Sequence, residues 1–234
     1  MRKIPTPSGR YPFQLYFEDL GEIDEICLGA LKTQSLLPSN PALIRIERFV
    51  EKHFKTALIY EDLGPGNLGC TVFNSSGTVE AIVVSRFLEE QNTIPARRRV
   101  RSTVAHEAGH GLLHGPLFAE TNSPDLMIGA VGKNRRLILC RSEDILFDTQ
   151  QSYAGKWWEF QANQAMGSLL LPSPLMHAFL DQSGINPSCF RSGILTSAQH
   201  ESLVKKAAVI FDVNPVVVRI RLDSLFPQKK NHQI

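Results

Sequence analysis

No stretch of this chain approaches the roughly 18 consecutive apolar residues that a membrane-spanning helix needs. The opening "MRKIPTPSGRYPF" begins positively but has no apolar stretch after it, so a secretory leader is not expected either. These absences predict a soluble, cytoplasmic protein with no membrane contact. An excess of either charge is also missing: 25 Lys and Arg against 23 Asp and Glu leave a formal net charge of +2. That balance makes no global case for attraction to nucleic acid or to a membrane surface. Cysteine is sparse, and Cys27, Cys70, Cys140 and Cys189 form no C-x-x-C pair, which argues against a zinc ribbon and a redox dithiol. Buried free thiols are the expectation. Internal repeats and low-complexity tracts are lacking too.

What is present is ordinary globular material. Apolar residues make up 43% and charged residues 21% of 234 positions, enough to bury a real core without staples. After a Pro-rich arm, "FEDLGEIDEICLGALKTQSLL" and "NPALIRIERFVEKHF" carry apolar residues at helical spacing, the second with Asn40 and Pro41 as N-cap and first helical residue. Next, "ALIYEDL" and "GCTVFNSSGTVEAIVVSRF" are β-branched runs, the latter folded about the hairpin signal "NSSG". These predict an α+β protein with a small antiparallel sheet packed with helices.

From Thr93 to Gly115, Val100, Val104, Ala108 and Leu112 recur at i,i+4 spacing, which predicts a central helix. Loop with a strand-like "RLILC" follows, then a helix in "WWEFQANQAMGSLLLP" stopped by Pro172, and a short helix in "PSPLMHAFLDQSG". The tail "SAQHESLVKKAAVIFDVNPVVVRIRLDSLF" reads as two helices joined at "DVNP", with a helix-turn-helix pattern and Arg219 and Arg221 on the second. We place a main domain over 1–195 and a helical appendage over 196–234. Without a dense basic patch, packing against the main domain is the default role of that appendage, and direct DNA binding is not favoured.

The chemistry concentrates in "AHEAGHGLLH", Ala105 to His114. On a helix, His106 and His110 lie one turn apart and about 40° apart in azimuth, so both imidazoles can reach one ion. Glu107 is turned about 100° from His106, outside the first coordination sphere but beside a metal-bound water. This is the H-E-x-x-H arrangement of zinc peptidases, with the glutamate as general base.

Catalytic zinc takes three protein ligands and keeps one position open. A histidine six residues after His110 is excluded because Pro116 stands there. His114 shares the helix face, but an i, i+4, i+8 row runs along a helix and does not close around a point, which suits a supporting hydrogen-bonding role better. Glu120, Glu143 and Asp144 fall in loop or strand, whereas Glu159 lies on a helix, a more rigid platform. Asn163, one turn after Glu159, could orient a metal-binding imidazole. Spacing alone leaves Glu159 open between ligand and solvated helix-start glutamate.

The runs "RVRSTVAHEAGHGLLH" and "WWEFQANQAMGSLLLP" together resemble the ImmA/IrrE-type metallopeptidases, whose pattern is an H-E-x-G-H helix and a later E-x-x-A-N helix ending in Leu-Leu-x-Pro. Here "QAMGS" stands where the second block usually carries an aromatic or branched residue, and the connection between the blocks is long. The resemblance implies a zincin-like fold, zinc as cofactor, His106, His110 and Glu159 as its ligands, and Glu107 as catalytic acid/base. It further implies a protease acting on a protein substrate, a helix-turn-helix transcriptional repressor, with DNA only an indirect partner. The alternative is a non-catalytic regulatory or toxin-type module that keeps the fold and acts by binding a partner.

Three subsidiary expectations remain. Tyr153 and His177 are candidates to stabilise an oxyanion, against the commoner reading of both as partly buried structural residues. The strand "EAIVVSRF" is either an edge that receives an extended substrate or an ordinary interior strand. The four arginines between Arg97 and Arg101 sit near a helix start, where the dipole disfavours them, so they either form a solvated face or meet acidic groups.

Overall fold

A computed structural model describes residues 1–5, 13–119, 136–141, 156–191 and 195–227. Glu120, Glu143, Asp144 and Tyr153 lie outside the described residues. The fold is α+β. Its order is β1 (Arg2–Pro5), β2 (Phe13–Tyr16), α1 (Gly21–Thr33), α2 (Ile46–Phe54), β3 (Leu58–Glu61), β4 (Asn67–Phe73), β5 (Val79–Ser85), α3 (Arg86–Glu90) and α4 (Ile94–Leu113). After these come α5 (Gly115–Ala119), β6 (Arg136–Arg141), α6 (Trp157–Leu170), α7 (Ser173–Gln182), α8 (Ser188–Arg191), α9 (Ser197–Ile210) and α10 (Pro215–Leu225).

The main sheet corrects the antiparallel expectation. Its order is β3-β5-β4-β6, with β4 antiparallel to β5 and β6 but β3 parallel to β5. The sheet is therefore mixed. The β4–β5 hairpin turns at "NSSG" as its residues dictate: Asn74 Oδ1 accepts from the backbone N–H groups of Ser76 and Thr78. The connection from β3 to β5 instead passes through β4, so β5 lies inside the sheet and "EAIVVSRF" is not an edge. Among the described residues the edges are β3 and β6.

Alternation along the strands divides the sheet's two faces. Phe73, Ile82, Val84 and Ile138 join the main core with the helices, whereas Cys70, Val72, Ala81, Val83 and Leu137 form a smaller cluster on the reverse face. The main core also takes in Leu203, Val204, Phe211, Val218 and Leu222 of the C-terminal helices and their junction.

Two departures from the sequence reading occur near the N-terminus. The Pro-rich arm contains a β1–β2 hairpin, because Phe13, Leu15 and Phe17 alternate inward. Helix α2 begins at Ile46 and not at Pro41: the Ile44 carbonyl accepts from Arg101 Nη2 at 2.7 Å, and Ile44 and Ile46 are both fully buried. A tertiary contact has overridden a good cap-and-proline signal.

The central helix starts as expected, with the Thr93 side chain accepting from Ala96 N–H. Asp212, at the α9–α10 junction, holds the arginine run: Arg97 Nη2 and Arg98 Nε approach its Oδ1 at 3.1 and 3.0 Å, while Arg101 Nε donates to its backbone oxygen at 3.2 Å. Burial by itself would raise the Asp212 pKa, but the Arg98 and Arg97 hydrogen bonds outweigh it and lower the pKa. On α10, Arg221 is buried against Asp24 and the Leu171 carbonyl, and Arg219 pairs with Glu201. Those two guanidiniums are committed to internal contacts.

Among the described residues no helix is long and apolar enough to cross a membrane.

Candidate metal centre

Helices α4 and α6 cross closely because Gly109 has no side chain. A Cβ there would stand 2.9 Å from both the Ala162 carbonyl oxygen and Ala165 Cβ. The glycine inside "HEAGH" thus lets α6 approach until Glu159, on its first turn, faces the two histidines.

Three donor atoms converge. His106 Nε2 lies 3.0 Å from Glu159 Oε2, His110 Nε2 lies 3.3 Å from the same oxygen, and the two imidazole nitrogens are 3.1 Å apart. A tetrahedron with metal–ligand bonds of about 2.05 Å has edges of about 3.3 Å, so a single ion can sit at bonding distance from all three atoms. Glu159 is only 6% exposed and both histidines are fully buried, which removes the solvated helix-start reading of Glu159. This group could hold a metal ion.

The hydrogen bonds behind the histidines orient their lone pairs. His106 Nδ1 lies 2.7 Å from Asn163 Oδ1, an acceptor, so Nδ1 carries a proton and a neutral ring keeps its Nε2 lone pair toward the centre. For His110 the signal begins farther away. Gln161 Nε2 donates to the Leu15 carbonyl on β2 at 2.6 Å, which turns its Oε1 to His114 Nε2 at 3.1 Å. His114 must donate there, leaving its Nδ1 to accept from His110 Nδ1 at 2.9 Å. His110 Nε2 is then the bare nitrogen. His114 is consequently a support for a donor, as its helical spacing suggested, and Trp157 closes over it edge to face at 5.8 Å.

The charges agree with this wiring. Burial and the adjacent His110 hold the His114 pKa well below the usual imidazole value, favouring the neutral acceptor. Burial alone would raise the Glu159 pKa, but His110 and His106 keep it far below the ordinary carboxylate range. Burial disfavours a charged His106, yet the Cys140 sulfur and the Glu159 carboxylate hold its pKa well above normal. The centre calls for positive charge, which a proton or a metal ion can supply.

Glu107 lies beside this triangle. Its Oε2 accepts from Thr71 Oγ1 of β4 at 2.6 Å, so the sheet holds the carboxylate from below. Gly69, also on β4, makes room: a Cβ there would lie 2.8 Å from Thr103 Cγ2 and 3.0 Å from Glu107 Oε1.

Cys140 is the residue that the sequence reading did not place here. It belongs to "RLILC", legible as a strand, but only the β4–β6 pairing brings it opposite Gly69 and beside His106. Burial pushes its thiol up to about 12. His177 is not at the centre; its Nδ1 donates to the Ser173 carbonyl at 2.7 Å and its ring meets Phe226 edge to face.

No model of a known protein family matches this chain, and a search of curated proteins finds no match.

Proposed function

We propose that this chain is a zinc-dependent endopeptidase with a zincin-like fold, as the ImmA/IrrE-type resemblance of its two motif helices implies. The observation that carries the reading is the three-atom group of His106, His110 and Glu159, with both histidine tautomers set by Asn163 and by the Leu15–Gln161–His114 chain. Two nitrogens and one carboxylate oxygen on a rigid helix pair match the donor preference of zinc, and three protein ligands are the number a catalytic site takes.

When bound, zinc would supply a Lewis acid and lower the pKa of an attacking water. Glu107 takes the proton of that water and returns it to the leaving amine. Thr71 Oγ1, within reach of both the backbone oxygen and Oε2 of Glu107, ties this residue to the sheet. An extended substrate adds alongside β6, an edge of the sheet among the described residues, pairing its backbone with the strand that carries Cys140. The proposed substrate is a helix-turn-helix transcriptional repressor; DNA is involved only through that protein.

The test is incubation of zinc-loaded protein with any helix-turn-helix repressor encoded near its gene, comparing wild type with Glu107→Gln. Cleavage by wild type alone is expected. Equal cleavage by both would overturn the role of Glu107, and cleavage by neither would favour a partner-binding module.

A further inference from the structure

We propose that Cys140 is a fourth protein donor to the metal centre, a built-in thiol latch that closes the position hydrolysis needs open. The inference rests on the metal reading above and concerns the regulation of that site.

Cys140 does not stand alone as a cysteine. Its Sγ, a ring nitrogen of His106 and a carboxylate oxygen of Glu107 lie within 4.8 Å of one another, a second potential ligand group that shares His106 with the first. All three residues are fully buried. The two groups share His106, which puts the thiol and Glu107 next to the proposed metal centre. A metal–sulfur bond is about 2.3 Å, so Sγ must close on the ion for the latch to form.

Zinc sites closed by four protein ligands are structural, while those with three keep an exchangeable position. Cys140 therefore decides between the two conditions. In the latched form the S–H bond breaks, its proton passes to Glu107, and Sγ binds the ion in place of water. Opening reverses each step: the Sγ–metal bond breaks, Glu107 returns the proton to sulfur, and water or a substrate carbonyl takes the vacated position. A substrate strand pairing with β6, an edge among the described residues, acts on the backbone that carries the latch and so couples substrate binding to opening.

Cobalt(II) substitution reads this directly, since sulfur coordination produces an intense near-ultraviolet charge-transfer band while three-ligand binding by nitrogen and oxygen produces visible bands alone. The wild-type protein loaded with cobalt should show both. Cys140→Ala and Cys140→Ser should lose the near-ultraviolet band and retain bound cobalt with its visible bands. Visible bands without the near-ultraviolet band in wild type would overturn the latch and leave the metal site intact. Persistence of that band in Cys140→Ala would also overturn it, by assigning the sulfur elsewhere. No bound cobalt in wild type would instead sink the metal reading on which the latch depends. The wild-type spectrum decides even if a variant fails to fold.

Discussion

His114 Nδ1 lies 2.9 Å from His110 Nδ1, and the only protonation pattern compatible with Gln161 beyond it makes His110 the donor and His114 the acceptor. A backbone carbonyl on the N-terminal hairpin thereby sets the tautomer of a proposed metal ligand two side chains away.

This chain predicts graded metal affinities. His114→Ala should weaken zinc binding about 10–100-fold, the usual cost of losing a partner behind a ligand. Gln161→Leu should act in the same direction, while His106→Ala should abolish stoichiometric zinc. Competition titration against a chromophoric chelator measures all three; unchanged affinity in His114→Ala would refute the wiring.

Gly109 should tolerate no side chain. Gly109→Ala places a methyl group 2.9 Å from Ala162 O and Ala165 Cβ, forcing α6 outward. We expect a loss of about 1–3 kcal/mol in stability from overpacking. Because the displaced helix carries Glu159, zinc content should fall as well. Thermal melts paired with metal analysis would detect both, and a variant with wild-type values would show that the helices can re-seat.

Metal binding should expel protons. The pKa of His106 is held above its ordinary value, so at neutral pH the ion competes with a proton for that ring. Affinity should fall about tenfold per pH unit for each proton displaced as pH drops. Calorimetry in buffers of different ionisation enthalpy counts the released protons; a buffer-independent enthalpy would contradict the competition.

Asp212→Asn should destabilise the fold near neutral pH by about 1.5–3 kcal/mol, the range for losing hydrogen bonds to charged groups. Asn accepts the left-handed backbone at this position, φ 49°, so the change isolates the charge. The folded pKa of Asp212 is depressed, so its contribution is present above the unfolded value of about 3.9 and is lost as pH falls through the folded value. Denaturant melts should therefore show the wild-type advantage shrinking in acid. An advantage independent of pH would assign it to packing.

Much of the site was legible because helical periodicity is local. The four-residue spacing of His106 and His110 put both rings on one face, and the same spacing between Glu159 and Asn163 paired a donor with an orienting amide. Gln161 and Cys140 were not legible in this role. Nothing in their own segments signals a metal centre, and each acts through a neighbour distant in sequence, His114 for one and His106 for the other.

The sequence by itself determined the helix with its histidine pair, the hairpin at "NSSG" and the near-neutral composition, since each depends on backbone geometry within a few residues. Only the tertiary structure decided that Glu159 meets His106 and His110, that β5 lies inside a mixed sheet, and that a strand thiol faces Glu107. Those outcomes depend on how closely helices cross at Gly109 and on which strands pair, choices made by packing across long separations in the chain.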